Sequence, residues 1–182
     1  ESSDEQSTGG TVALASKAVR NQIVNAALET AVKSNPSPLF SKKALSKITT
    51  GNFEDNMPDI ASCDWVIEVV VERLDIKKVI YDQVEKFRKP GTLVTSNTSG
   101  IPIHLMAEAR SEDFKAHFCG SHFFNPPRYL RLLEIIPTPQ TKPEVVDFLM
   151  HYGDKFLGKT TVLCKDTAAF IANRVGVYSM MA

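Results

Sequence analysis

The stretch Ser121–Ile136, SHFFNPPRYLRLLEII, holds two apolar runs of strand length on either side of Pro126 and Pro127. Each run carries one ionisable side chain, His122 in the first and Glu134 in the second. A buried strand rarely tolerates such a group without a partner, because the charged form loses its hydration. His122 and Glu134 each stand six residues from Arg128, the midpoint of the stretch. If the chain folds back there, the two lie opposite one another on the same face, with Cβ atoms roughly 5 Å apart. The pattern predicts an antiparallel strand pair that sets a carboxylate against an imidazole, the orienting half of a general acid/base pair.

Working outward, strands alternate with amphipathic helices. Asp64 opens WVIEVV, a β-branched apolar run of the kind found in central parallel strands. A helix is predicted over Leu74–Lys89, with Ile76, Val79, Ile80, Val84 and Phe87 on one face and Pro90-Gly91 at its end. TLVTS reads as the second strand, IPIHLMAEA as a short apolar segment, FKAHFCGSHFF as the third strand and LRLLEII as the fourth. In TKPE, Thr141 and Glu144 have capping-box spacing, with Pro143 in the first turn. Val146, Leu149, Tyr152 and Phe156 supply the buried side of the helix that follows, and Gly158 ends it. TTVLC reads as the last strand, and FIANRVGVYSMMA as a helix reaching the end of the chain.

Near the other end, the first ten residues are polar and read as a loop or disordered. From Thr11 to Asn35 the pattern is helical, with a stripe of Val24, Leu28, Ala31 and Val32 widened by Val19, Ile23 and Ala27. NPSP stops that helix, and a short one follows around Ser41–Ile48. The order of elements predicts an α/β fold, a mostly parallel sheet with helices on both faces.

Composition limits the function classes. The 182 residues suit one domain, or one plus part of another, and 43% hydrophobic with 23% charged residues is ordinary for a soluble globular protein. Formal charge is zero and no run of adjacent basic residues exceeds a pair such as Lys42-Lys43, which argues against nucleic acid or a membrane surface as partner. No apolar run approaches the roughly 20 residues of a membrane-spanning helix. Cys63, Cys119 and Cys164 are odd in number and far apart, as in reduced cytosolic proteins, and the four histidines show no metal-ligand spacing. These features place the chain in the cytoplasm and give no metal site.

Two parts of a dinucleotide-binding fold are missing from the sequence. Such folds open with strand, Gly-rich turn and helix, and no G-x-G-x-x-G occurs among the nine glycines. The final helix also lacks a helical partner, so the sequence looks cut at both ends. GNFED, CDWVIEVVVERLDIKK, SNTSGIPI, HFFNPPRYLRLLE, LGKTTVLCKD and FIANR, in that order, resemble the 3-hydroxyacyl-CoA dehydrogenases from about Gln22 onward. Bacterial members of that family with NPPRYxRLLE are often fused to an enoyl-CoA hydratase domain. The resemblance implies an NAD-dependent oxidation of 3-hydroxyacyl-CoA to 3-ketoacyl-CoA in fatty-acid β-oxidation, with an acyl-CoA substrate and a homodimeric parent enzyme. It also implies an incomplete Rossmann-like NAD-binding domain over residues 1–167, without its first strand and Gly-rich loop. Residues 168–182 would begin a helical C-terminal dimerisation domain.

The same resemblance implies roles for particular residues. His122 matches the catalytic histidine and Glu134 its carboxylate partner; Ser99 of SNTS lies near the substrate hydroxyl and nicotinamide. Asn125 and Asn173 match active-site asparagines, Asn97 and Ser99 belong to the cofactor side, and Glu72 and Lys77 line the nicotinamide ribose. Where the family has Pro-Gly before FIANR this chain has Ala168-Ala169, which bears on the placement of Asn173. The chemistry suits the residue types. A neutral imidazole, unperturbed pKa about 6.5, accepts the hydroxyl proton near neutral pH, and a carboxylate fixes its tautomer. The opposed expectation is a non-catalytic remnant or interaction domain that keeps the sheet and has lost the cofactor site.

Overall fold

Residues 16–181 are described by the structure, a computed structural model. The chain divides into two compact units, Glu1–Pro58 and Asp59–Ala182. The expectations for the first ten residues and for a helix start at Thr11 lie outside the described residues. In the first unit, α1 (Lys17–Arg20) starts where the Ser16 hydroxyl accepts from the Val19 N–H, and α2 (Gln22–Lys33) follows across Asn21. Val24, Leu28, Ala31 and Val32 are half-buried, but Ile23 and Ala27 are exposed, so the apolar stripe is narrower than the sequence implied. A 3-10 turn at Lys42–Lys47 replaces the expected short helix. Arg20 donates three hydrogen bonds to Asp55 (2.8, 2.9 and 3.0 Å), and the Asn52 amide donates to Asn21 (2.6 Å).

In the second unit, Trp65–Glu68, Leu93–Ser96, Phe118–Phe123, Leu132–Pro137 and Thr160–Leu163 form β1 to β5. They lie side by side in sequence order. β1, β2 and β3 are parallel, β4 is antiparallel to β3, and β5 is parallel to β4. The helices are α3 (Leu74–Phe87), α4 (Ile103–Ala107), α5 (Glu112–Ala116), α6 (Pro143–Lys155) and α7 (Ala172–Met181). The result is a Rossmann-like, mostly parallel sheet with helices on both faces. The β3–β4 register pairs His122 with Glu134, as symmetry about Arg128 requires.

Alternation along the strands divides two cores. On one face Cys119, Leu133 and Ile135 pack with Leu93 and with Leu149 of α6. On the other, Phe118 stacks on Phe114 at 5.0 Å between ring centroids and meets Tyr81 of α3 edge-on at 5.3 Å. Burial pushes the Cys119 thiol up to about 12. It does the same for Cys164, also to about 12, with help from the negative charge of Glu134. Both thiols therefore stay protonated and act as packing groups.

Six local expectations need correction. β1 ends at Glu68 instead of running through WVIEVV, because the Glu68 carboxylate accepts from the Val70 N–H (2.6 Å) and turns the backbone. Among the described strands β1 is also an edge strand, not a central one. Residues 114–116 belong to α5, so β3 begins only at Phe118. Thr141 does not cap α6: its hydroxyl donates to the Phe118 carbonyl (2.7 Å) and accepts from the Thr138 N–H (2.9 Å), leaving Lys142 as a cap without a side-chain bond. The buried side chains of α3 are Lys77, Tyr81 and Val84, while Val79 points outward; on α6, Phe156 is 69% exposed and Gly153 is buried.

Gly153 marks the closest approach of α6 to the sheet. A Cβ there would stand 2.5 Å from Thr161 Cγ2 and 3.1 Å from Leu133 Cδ2. Alanine in a helix normally gains about 1 kcal/mol over glycine, but overpacking of this kind costs roughly 1–3 kcal/mol. Gly153→Ala is expected to lower the denaturant midpoint. A midpoint equal to or above wild type would mean that α6 has room to shift.

Candidate active site

The site is built where the parallel strands end. Nδ1 of His122, near the end of β3, lies 2.7 Å from Oε2 of Glu134 on β4. Both side chains are almost fully buried, at 5% and 1% exposure. The other carboxylate oxygen, Oε1, accepts from the N–H groups of Ile171 (3.1 Å) and Ala172 (2.8 Å) at the start of α7. Those donors belong to the end of a helix where an anion is favoured. The His122 ring also lies against Phe124 (4.4 Å between centroids) and Phe170 (5.6 Å). With Nδ1 engaged, Nε2 is the nitrogen left for chemistry.

The loop after β2 is organised by a second glutamate. Oε1 of Glu72 accepts from the Thr98 hydroxyl (2.5 Å) and from the N–H groups of Ser99 and Gly100 (both 3.0 Å). Desolvation works against ionisation of Glu72, but these donors and the nearby Lys77 outweigh it and hold the carboxyl below its ordinary range. Asn97 Oδ1 accepts from the Phe123 N–H (2.9 Å), tying the loop to β3 beside His122. The Asn173 amide donates to the Ser99 carbonyl (3.0 Å), bringing α7 to the same loop.

The segment leading into α7 is fixed by Asp166. Its carboxylate accepts from the N–H groups of Ile103 (2.6 Å) and His104 (2.8 Å) and meets His104 Nδ1 at 2.7 Å. Beyond it, Ala169 and Phe170 adopt φ of +62° and +47°, the left-handed region that costs a non-glycine residue roughly 1–2 kcal/mol. Ala169 is where the resembling family has glycine. The turn keeps its left-handed form despite the substitution and still delivers Asn173 to Ser99.

The structure thus joins His122 with Glu134, Asn173 with Ser99, Glu72 with Ser99, and Asn97 with β3. Asn125 lies exposed just past β3 with no bond to these residues among the described residues. Lys77 is placed differently from the expectation. It is 1% exposed, bonded to Glu68 at 2.8 Å and only 3.6 Å from Glu72, so it does not line an open surface. Sequence reasoning missed Glu68, Asp166, Phe170 and Lys159, whose ammonium donates to the carbonyls of Pro127 and Leu130 (2.8 Å to the latter) and braces the Pro126–Pro127 turn. Glu68 carried a usable signal, an ionisable residue inside an apolar strand, the same one that singled out His122.

Sheet and site together define a class: a Rossmann-like α/β domain with a buried histidine–carboxylate pair at its strand ends. Residues 8–167 match the family model described as "3-hydroxyacyl-CoA dehydrogenase, NAD binding domain", and the chain belongs to that family. A Bacillus subtilis protein named "Probable 3-hydroxyacyl-CoA dehydrogenase" is 51% identical over 91% of this chain and 21% of its own length. One of the same name from Deinococcus radiodurans is 43% identical over 93% of this chain and 49% of its own length. The chain therefore spans from about a fifth to about half of these relatives. The crystal structure of 3-hydroxybutyryl-CoA dehydrogenase from Escherichia coli K12 superposes with a TM-score of 0.68 at 32% identity, covering 85% of this chain and 32% of that one.

NAD is the cofactor of this family's domain, and the residues present fit its nicotinamide–ribose half. The Ser99 hydroxyl and the Asn125 side chain have no partner among the described residues, and the Glu72 side chain is 43% exposed with Oε2 held only loosely. These are polar groups available to a ligand. Lys77 does not fit such a role, being committed to Glu68. No helix of the described residues is long and apolar enough to cross a membrane.

Proposed function

We propose that the protein containing this chain oxidises the 3-hydroxyl of a 3-hydroxyacyl-CoA to a ketone in fatty-acid β-oxidation, in the cytoplasm and as a homodimer. The observation that carries this reading is the buried His122–Glu134 hydrogen bond, which leaves Nε2 as the acceptor for a proton. In the reaction the C3–H and O–H bonds of the substrate break and a C=O bond forms. The hydroxyl proton passes to Nε2 of His122, and Glu134 stabilises the imidazolium that results. NAD, when bound, supplies the acceptor for the hydrogen leaving C3 with its electron pair. Ser99, held by Glu72 and Asn173, orients the hydroxyl, and Asn97 and Asn125 complete the nicotinamide side, a task of positioning. Residues 1–167 act as part of the NAD-binding domain, and residues 168–182 begin a helical dimerisation domain.

The test is turnover of short-, medium- and long-chain 3-hydroxyacyl-CoAs by the full-length protein, followed through NADH. NAD binding without turnover of any of them would favour the non-catalytic alternative. The 182-residue chain alone is expected to give no turnover and to bind NAD with a Kd of roughly 1 mM or weaker. Its sequence has no Gly-rich loop whose N–H groups could hold the pyrophosphate. Micromolar binding in calorimetry would mean that another segment replaces that loop.

A further inference from the structure

Glu68, at the end of β1, is a buried carboxylate that the proposed chemistry does not use. Its Oε1 accepts from the Val70 N–H (2.6 Å) and from Lys77 Nζ (2.8 Å). Its Oε2 accepts from the Tyr81 hydroxyl (2.8 Å) and the Ser96 hydroxyl (2.6 Å), with Lys77 again at 3.1 Å. These donors saturate the roughly four lone-pair sites of a carboxylate. Burial and then the charge of Glu68 push the Tyr81 phenol well above its ordinary range, so its hydroxyl remains a donor.

Two routes run from Glu68 to one turn. Ser96 Oγ, which donates to Glu68, accepts from the Thr98 N–H (3.2 Å). Lys77 stands between Glu68 and Glu72, and Glu72 gathers the Thr98 hydroxyl and the Ser99 and Gly100 N–H groups. A buried ion pair is often no more stabilising than an apolar pair of the same shape, so stability alone does not explain why one is kept here. What this pair does in geometry is specific: it connects β1 and α3 to the backbone that presents Ser99.

We propose that Glu68 is a positioning residue of the active site, fixing the Thr98–Gly100 turn, and Ser99 with it, through Ser96 and through Lys77 and Glu72. The proposal rests on the dehydrogenase reading for its kinetic consequence, but not for its structural one. Hydrogen exchange of the full-length protein without NAD tests the structural part. Glu68→Gln, which removes the charge and keeps the shape, is expected to speed exchange of the Thr98, Ser99 and Gly100 amides about tenfold or more, leaving the β3 amides of Gly120 to His122 unchanged. Ser96→Ala, a gentler change that deletes one oxygen, is expected to act in the same place and keeps the test open if Glu68→Gln fails to fold.

In kinetics, both variants are expected to lower kcat/KM for NAD by about tenfold or more, with KM for the acyl-CoA within about twofold of wild type. The effect of Ser99→Ala should shrink in the Glu68→Gln background, because a misplaced Ser99 has little left to lose. A uniform rise in exchange across the sheet, or local exchange and NAD kinetics equal to wild type, would overturn the proposal. If wild type itself shows no turnover, the functional reading fails while the exchange experiment still decides the role of Glu68.

Discussion

His122→Ala in the full-length protein is expected to lower kcat by roughly 10²–10⁴-fold, the range that general-base help supplies, with KM for both substrates little changed. The side chain is 5% exposed and its Nδ1 is bonded to Glu134, so the ring contributes little open binding surface. Its role is expressed as the proton moves, which is the signature of a loss in kcat and kcat/KM together. Removing the ring also leaves Glu134 without its strand partner, though Oε1 keeps the Ile171 and Ala172 N–H groups. The fold should therefore survive, and circular dichroism of the variant should match wild type. Wild-type turnover in a folded variant would reject His122 as the base.

Glu134→Gln is expected to cost nearly as much, for a reason that lies in the second oxygen. In wild type Oε1 accepts from two backbone N–H groups. A glutamine must keep its carbonyl oxygen there, since an amide NH₂ cannot accept, and so turns its NH₂ toward Nδ1 of His122. Nδ1 then has to be the acceptor, which puts the ring proton on Nε2, the nitrogen that should receive the substrate proton. The variant thus loses both the charge and the correct tautomer, and kcat should fall by about 10²-fold or more. A Glu134→Gln enzyme with full turnover would show that proton transfer does not pass through this pair.

The dyad was legible because a strand has a side-chain period of two and the chain reverses at an obvious break. Position counting about Arg128 then fixed the register. The segments around it were legible where pattern and local chemistry agreed, as in α3 and β2. Thr141 was misread because a capping box is a local pattern, while the Phe118 carbonyl that claims its hydroxyl is 23 residues away in sequence. Glu68 was passed over for a similar reason. Its partners Lys77, Tyr81 and Ser96 lie 9, 13 and 28 residues along the chain, and no periodicity connects them. Once those polar groups are buried together, they also displace the expected apolar face of α3. The residues proposed for the cofactor side stand in recognisable motifs, but the internal commitment of Lys77 to Glu68 is a property of the folded chain only.

The placement of His122 sets the order of events in a dehydrogenase built on this pair. One ring nitrogen is occupied by Glu134, and Phe124 and Phe170 lie against the ring. A proton taken from the alcohol has a single doorway, Nε2, and must leave by the one through which it entered. While the ketone occupies that doorway the base stays loaded. Resetting waits for product to depart and for water to reach the nitrogen, so proton discharge keeps time with product release without any dedicated gate.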